Sequence, residues 1–172
     1  MTVVTVLVLC VGCDQILKHV ARFLLQYSPP LSYLGDVVRL QYAENSGIML
    51  SIGATLSPGV KFWIFTVGVG LMLMVMLVYI FRRGEMERVQ TIAWSLILSG
   101  GLGNFIDRVM RDGVVIDYIS IGVDNFRTAV FNLADALVFA GVFLLLIQRR
   151  KEIKAGDLES SVEIKDQESK TR

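Results

Sequence analysis

Histidine is almost missing from this chain: His19 is the only one in 172 residues, and cysteine occurs twice, as Cys10 and Cys13. A zinc site built from imidazole and thiolate ligands needs more of both than can converge here. No HExxH run is present. The two cysteines have CxxC spacing but lie inside an apolar run, whereas a redox or metal-binding pair wants a polar, accessible setting. They read as two cysteines of a membrane helix. A Ser–His site has only His19 to draw on, and Ser46, Ser95 and Ser99 lack the strand–turn–helix setting of a nucleophile elbow. A serine–lysine pair using Lys18 stays open. Charge is scarce as well. Only 19% of the residues are charged, against about 25% in soluble chains, and much of that charge sits at the C-terminal end. A net charge of +1 leaves no footprint for nucleic acid.

What is abundant is apolar sequence: 53% of residues, with a mean hydropathy of +0.57. The length fits one domain. Four runs approach the ~20 residues that a membrane helix needs, at about 2–24, 60–81, 89–109 and 132–148. The first has no basic residue before it and further spans follow, which argues against a cleaved signal peptide. The second is the cleanest, without a charged side chain between Lys61 and Arg82. The connector at about 25–59 opens with Pro29-Pro30. Within it Val38, Leu40 and Tyr42 alternate with Arg39, Gln41 and Ala43, the period of a half-exposed strand. Asn45-Ser46-Gly47 reads as a turn, with Ile48-Met49-Leu50 apolar again, so a small strand pair on the membrane surface is expected. A second strand-like piece lies around 114–121, within the connector at about 110–131. Residues 1–150 form the expected membrane domain. The polar segment 151–172 has almost no apolar content beyond Ala155, and disorder is expected there. The fold class is membrane α-helical, with four transmembrane helices and a small extracytoplasmic β subdomain.

Lys and Arg mark cytoplasmic loops. The short connector holds Arg82, Arg83 and Arg88, and the polar segment begins Arg149-Arg150-Lys151; the long connectors are sparser. Both termini are therefore expected inside and the long connectors outside. At ~1.5 Å rise per residue, Asp14 lies roughly 16 Å into its span, Asn104 roughly 22 Å and Asp107 roughly 27 Å into theirs. Asp117 follows just outside, and Asp135 sits one turn into the fourth span. Separate parts of the chain thus bring their polar groups to one outer layer.

Ionisable groups at membrane depth cost at least ~2.5–3.5 kcal/mol each near a helix centre, which marks this layer as a site. Two carboxylates held together do not both ionise easily, so one keeps a proton while the other acts as base. Such a pair can take a proton from water and protonate a leaving amine. Asp117 and Asp135 suit this, arriving from opposite sides of the second outer connector. Asp107, followed directly by Arg108, reads as positioning. Asn104 and Arg108 share a helix face, and Arg108 can hold a loop carbonyl or a lipid phosphate. Asp14 and Lys18, four apart on α-helical spacing, are either a structural ion pair or a substrate contact. Gly100, Gly101 and Gly103 either cradle a peptide or allow close helix packing. Asn132 can cap the fourth span. On residue chemistry alone, a proton-coupled carrier using the same carboxylates remains the alternative, and a non-enzymatic assembly factor is a further one.

At these residues the sequence resembles bacterial lipoprotein signal peptidase (signal peptidase II), a family of intramembrane aspartic peptidases. The matching blocks are Asp14-Gln15-Ile16-Leu17-Lys18, Asn45-Ser46-Gly47, Gly100-Gly101-Leu102-Gly103-Asn104-Phe105-Ile106-Asp107-Arg108, Val115-Ile116-Asp117-Tyr118 and Phe131-Asn132-Leu133-Ala134-Asp135, in the family's order over about residues 3–150. The resemblance implies that Asp117 and Asp135 are catalytic. It implies site support or substrate contact for Asp14, Gln15, Lys18, Asn45, Gly47, Gly101, Asn104, Asp107, Arg108 and Asn132. The implied substrate is a prolipoprotein whose cysteine carries diacylglycerol, cut just before that cysteine to release the signal peptide. The implied place is the bacterial inner membrane, with the active site near the outer face. No metal or organic cofactor and no nucleic acid is implied; membrane lipid is the other partner, and a monomer is expected. Two departures are Ile48-Met49-Leu50, where the family has small residues and Phe, and Tyr118 in place of Phe. The charged C-terminal segment is not part of the family pattern.

Overall fold

The computed structural model describes residues 2–47, 53, 55–83, 86–124 and 126–170, with side chains as far as residue 154. Helix α1 spans Thr2–Leu25, α2 Pro58–Arg82, α3 Arg88–Met110 and α4 Leu133–Lys170. Strands β1 (Leu31–Tyr33) and β2 (Val38–Asn45) follow α1, while β3 (Val115–Val123) and β4 (Phe126–Arg127) lie between α3 and α4. Among the described residues, three helices (α1, α2 and α3) are long and apolar enough to cross a membrane. α4 falls outside that set because an 18-residue stretch begun at Leu133 already contains Asp135, Arg149 and Arg150.

Helix α3 is the centre, packing against α1, α2 and α4. Its inner face is made of small residues, with Ala93, Ser95, Ser99, Gly100 and Gly103 all buried. Ser95 and Ser99 donate their hydroxyls back to the carbonyls of Thr91 and Ser95, both at 2.6 Å. That satisfies two polar groups which lipid cannot. A Cβ on Gly100 would collide with the Ala134 carbonyl, and one on Gly141 would lie 2.6 Å from the Ala93 carbonyl. Absent side chains at both ends of the α3–α4 contact let the backbones touch. Gly101 meets Leu73 of α2 in the same way. Helix packing is thus what these glycines do here.

The strands join in one antiparallel sheet of order β1-β2-β3-β4, so the expected strand pair and the later strand-like piece are parts of a single unit. Register pairs Ala43 with Asp117 and Asn45 with Val115, with an irregularity between Leu40 and Ala43. The sheet rests on the C-terminal end of α1: Ala21 and Leu25 pack with Ile116 and Tyr118, flanked by Leu40, Tyr42 and Ile119. A second cluster of Leu73, Ile80 and Leu98 ties α2 to α3.

Three features differ from sequence expectation or lie beyond it. Phe62–Gly68, within the run that looked most regular, is wound as a π-helix, which buries Phe65 and Thr66. The backbone past Ala155 continues helically to Lys170, where disorder was expected. That stretch lacks proline and carries Glu159, Glu163, Lys165, Glu168 and Lys170, so helix propensity carries α4 onward. The apolar run Ile48-Met49-Leu50 lies outside the described residues.

Candidate active site

Four elements converge on the C-terminal end of α3. From α1, one helical turn presents Asp14 and Lys18, both fully buried, with their charged groups 2.9 Å apart. The Lys18 ammonium also reaches Asp107 Oδ2 at 3.1 Å and donates to Asn104 Oδ1 at 2.9 Å, so all three of its N–H groups have acceptors. Gln15, on the next step of the helix, donates to the Gly103 carbonyl at 3.0 Å and to Asp107 Oδ1 at 3.2 Å. Asp14 Oδ1 in turn accepts the backbone N–H of Ala134 at 2.9 Å, locking α1 to the first turn of α4. Gly103 leaves the room for this, since a Cβ there would lie 2.5 Å from Asp14 Oδ2.

Helix α3 supplies Asn104, Asp107 and Arg108. Asp107 is fully buried and accepts from Lys18, from Gln15, from Arg111 Nε at 3.4 Å and from the Ile116 N–H at 3.2 Å. It fastens the α3 terminus to β3. Arg108 donates to the Gly47 carbonyl at 2.8 Å, the loop-carbonyl role open to it from sequence. Gly47 N–H donates to Asn45 Oδ1 at 2.9 Å. That backbone donor fixes the Asn45 amide, whose Nδ2 then donates to Asp117 Oδ2 at 3.0 Å.

Asn132 and Asp135 close the first turn of α4 reciprocally. Asn132 Oδ1 accepts the Asp135 N–H at 2.9 Å, and Asp135 Oδ2 accepts the Asn132 N–H at 3.2 Å. This is a capping box with a carboxylate at its third position. The capping role and a site role coincide, because Asn132 Nδ2 also donates to Asp117 Oδ1 at 2.6 Å and to Asn104 Oδ1 at 3.0 Å. Asn104 Nδ2 completes the ring by donating to Asp135 Oδ1 at 2.8 Å. Asn132 thus bridges the two aspartates, Asn104 joins Asp135 to it, and Asn45 holds Asp117 from the other side.

Two cavities of about 180 Å³ each meet at this pair, and both are lined by Asn45, Asp117 and Asp135. One extends along Val69, Gly101, Asn104 and Arg108, the other along Val130, Phe131 and Phe139. Asp117 is 2% exposed. Burial, then the nearby Asp135 charge, pushes its carboxyl up to about 6 from 3.8. The folded carboxyl therefore holds its proton across a range in which the unfolded one has released it. Native stability is fullest below about pH 4 and declines as pH rises to about 6, by roughly 1–3 kcal/mol. Unfolding of detergent-solubilised protein across that range should show this slope, and Asp117→Asn should flatten it; an equal slope in both proteins would disprove the assignment.

All twelve residues singled out from the sequence lie in or directly beside this network. Sequence reasoning missed the backbone donors Ala134 N–H and Ile116 N–H, and the Tyr118 hydroxyl, which accepts the Leu133 N–H at 3.3 Å. Only the identity of Tyr118 carried a signal. Among the described residues, no group of three or more His, Cys, Asp or Glu is placed to hold a metal ion.

Residues 6–150 match the family model described as Signal peptidase (SPase) II. A lipoprotein signal peptidase from Photorhabdus laumondii is 35% identical over 163 residues, covering 90% of this chain and 91% of the relative. One from Borrelia turicatae is 33% identical over 141 residues, covering 78% and 81%. A bacterial membrane enzyme whose structure was solved by the in meso method at 2.3 Å superposes with a TM-score of 0.76 at 25% identity, over 88% of this chain and 89% of that one.

Proposed function

The chain belongs to the signal peptidase II family, and from that premise we propose that it removes the signal peptide from diacylglyceryl-modified prolipoproteins as an aspartic endopeptidase. Asp117 and Asp135 are the catalytic pair in this reading. What carries it is their convergence: two carboxylates from different elements, bridged by Asn132, share the walls of two cavities. Water held between them loses a proton to one carboxylate as its oxygen attacks the scissile carbonyl. The other carboxyl supplies the proton that the developing charge requires, and the C–N bond then breaks with protonation of the amine. Asn45, Asn104 and Asn132 hold the pair, and Asp14, Gln15, Lys18, Asp107 and Arg108 hold the asparagines and the loops around them.

The same reading makes α4 the fourth span, from Leu133 to about Gln148, with the sheet and the site at the outer face of the bacterial inner membrane. Both termini are then cytoplasmic, consistent with Arg82, Arg83, Arg88 and Arg149-Arg150-Lys151 at the opposite end. Asp135 is tolerable at such a boundary because its oxygens are hydrogen-bonded. A lipid-modified peptide reaches the pair laterally from the outer leaflet, where Phe139 lines one cavity and is itself exposed.

Purified protein in detergent should cleave a diacylglyceryl-modified precursor just before the modified cysteine. The same precursor without the lipid should react at least about tenfold more slowly, because its buried acyl methylenes contribute ~0.8 kcal/mol each. Equal rates on both would reject the proposed substrate, and mass spectrometry of the products fixes the cut position.

A further inference from the structure

The three carboxamides that hold the aspartates are not fixed alike. An amide side chain can turn its oxygen and nitrogen end for end, so its orientation must be dictated by an unambiguous partner. For Asn45 that partner is the Gly47 backbone N–H, and for Asn132 it is the Asp135 backbone N–H. Among the described residues, no backbone N–H donates to the Asn104 side-chain oxygen. Its Oδ1 accepts from Asn132 Nδ2 and from Lys18 Nζ. Among the described residues, buried Lys18 is the one cation on that side-chain oxygen, and it favours the orientation that puts the Asn104 NH2 group toward Asp135.

We infer that Lys18 is a positioning residue which, acting through Asn104, places the negative charge of the pair on Asp135 and leaves the shared proton on Asp117. The surroundings of the two carboxyls agree. Asp135 sits at the third position of a helix, where the dipole favours negative charge, and it is half-buried. Asp117 lies in a strand, is 2% exposed and has no helix terminus of its own. The charged or titratable groups that interact with Asp135 are Arg108 from α3 and Asp117 and Tyr118 from β3, while Asp14 from α1 and Asp107 from α3 gather around the Lys18 ammonium behind Asn104. Asp14 and Asp107 are both engaged by Lys18, so their charges do not cancel the arrangement.

The inference rests on the proposed peptidase function and assigns its steps. The Asp135 carboxylate takes a proton from water while the water oxygen bonds to the scissile carbon. The Asp117 proton passes to the carbonyl oxygen, giving a diol. On collapse, the C–N bond breaks, nitrogen takes the proton from Asp135, and a diol hydroxyl returns one to Asp117. Both side chains then stand as they began. Without Lys18, the Asn104 oxygen keeps only Asn132 Nδ2, which it shares with the Ile116 carbonyl and Asp117 Oδ1, so the amide turns its oxygen toward Asp135 more readily, which favours the protonated acid there and weakens the base.

The test is the pH profile of cleavage. Lys18→Met alone strands two carboxylates, so the variant of choice is the charge-balanced Asp14→Asn/Lys18→Met. Its kcat should fall about 100-fold or more, within the 10²–10⁴ span of acid–base catalysis, with KM within about threefold. Its acid limb should move up by about one pH unit, a tenfold change in proton affinity. Asn104→Leu should move the limb the same way, and adding the Asp14/Lys18 pair to it should shift it no further. A purely structural role would lower the melting temperature and leave the limb in place. If wild-type protein cleaves and either variant keeps the wild-type limb, or the shifts simply add, this inference fails while the peptidase reading stands. If wild-type protein does not cleave, both fall. Should the double variant not fold, Asn104→Leu alone decides: an unmoved limb overturns the inference.

Discussion

Asp117→Asn and Asp135→Asn each reduce cleavage of a lipidated precursor by about 10³-fold or more, and the double variant is no worse than either single one. Acid–base catalysis by one positioned group contributes about 10²–10⁴-fold, and groups that work as a unit lose their effect together. The volume of each side chain is unchanged, so the cavities and the capping turn remain. At position 135, Asn keeps an oxygen to accept the Asn132 N–H. At position 117, one amide group must face a donor, because both Asp117 oxygens now accept, from Asn45 and from Asn132. That variant therefore distorts its immediate surroundings more than the other. Single-turnover cleavage with an unfolding control measures both effects, and strong residual turnover in either variant would remove that aspartate from the mechanism.

Lys18→Met lowers stability by about 3–5 kcal/mol, the usual result of removing one partner from a buried ion pair. Lys18 is fully buried with Asp14, Asp107 and Asn104 around its ammonium. Methionine fills much of the volume and supplies no donor. Asp14 keeps the Ala134 N–H and Asp107 keeps Gln15, Arg111 and the Ile116 N–H, yet two carboxylates then share one dry layer. Adding Asp14→Asn should recover most of the loss, since the amide oxygen still accepts from Ala134 and one charge is gone. Thermal unfolding of wild type, both single variants and the double variant forms a closed cycle that isolates the coupling. A Lys18→Met protein that melts with wild type would show that the ammonium carries no structural weight.

Much of this site was legible because ionic side chains are expensive in lipid. That cost made Asp14, Lys18, Asn104, Asp107 and Asp135 conspicuous against apolar surroundings, and helical rise placed them in one layer. The partners were less visible. Spacing puts Lys18 beside Asp14, but nothing local announces that Asp107 and Asn104 share the same ammonium across helices. The π-turns of Phe62–Gly68 escaped for a related reason: winding changes which face is buried without changing how apolar the run is. Strands β1 and β4 are so short that no alternation can develop, and they exist through pairing with longer neighbours. The helical course beyond Ala155 was obscured because polarity was read as disorder, whereas Glu and Lys suit both.

The reciprocal closure at the start of α4 ties two quantities that most enzymes can vary separately. The turn that nucleates the helix and the cradle that aligns the reacting groups use the same atoms of Asn132 and Asp135. Selection acting on one inevitably acts on the other, so drift at these two positions is blocked from two directions. An inhibitor that draws the Asn132 amide away from its neighbours would, by the same movement, begin to unwind the helix that brings it into reach.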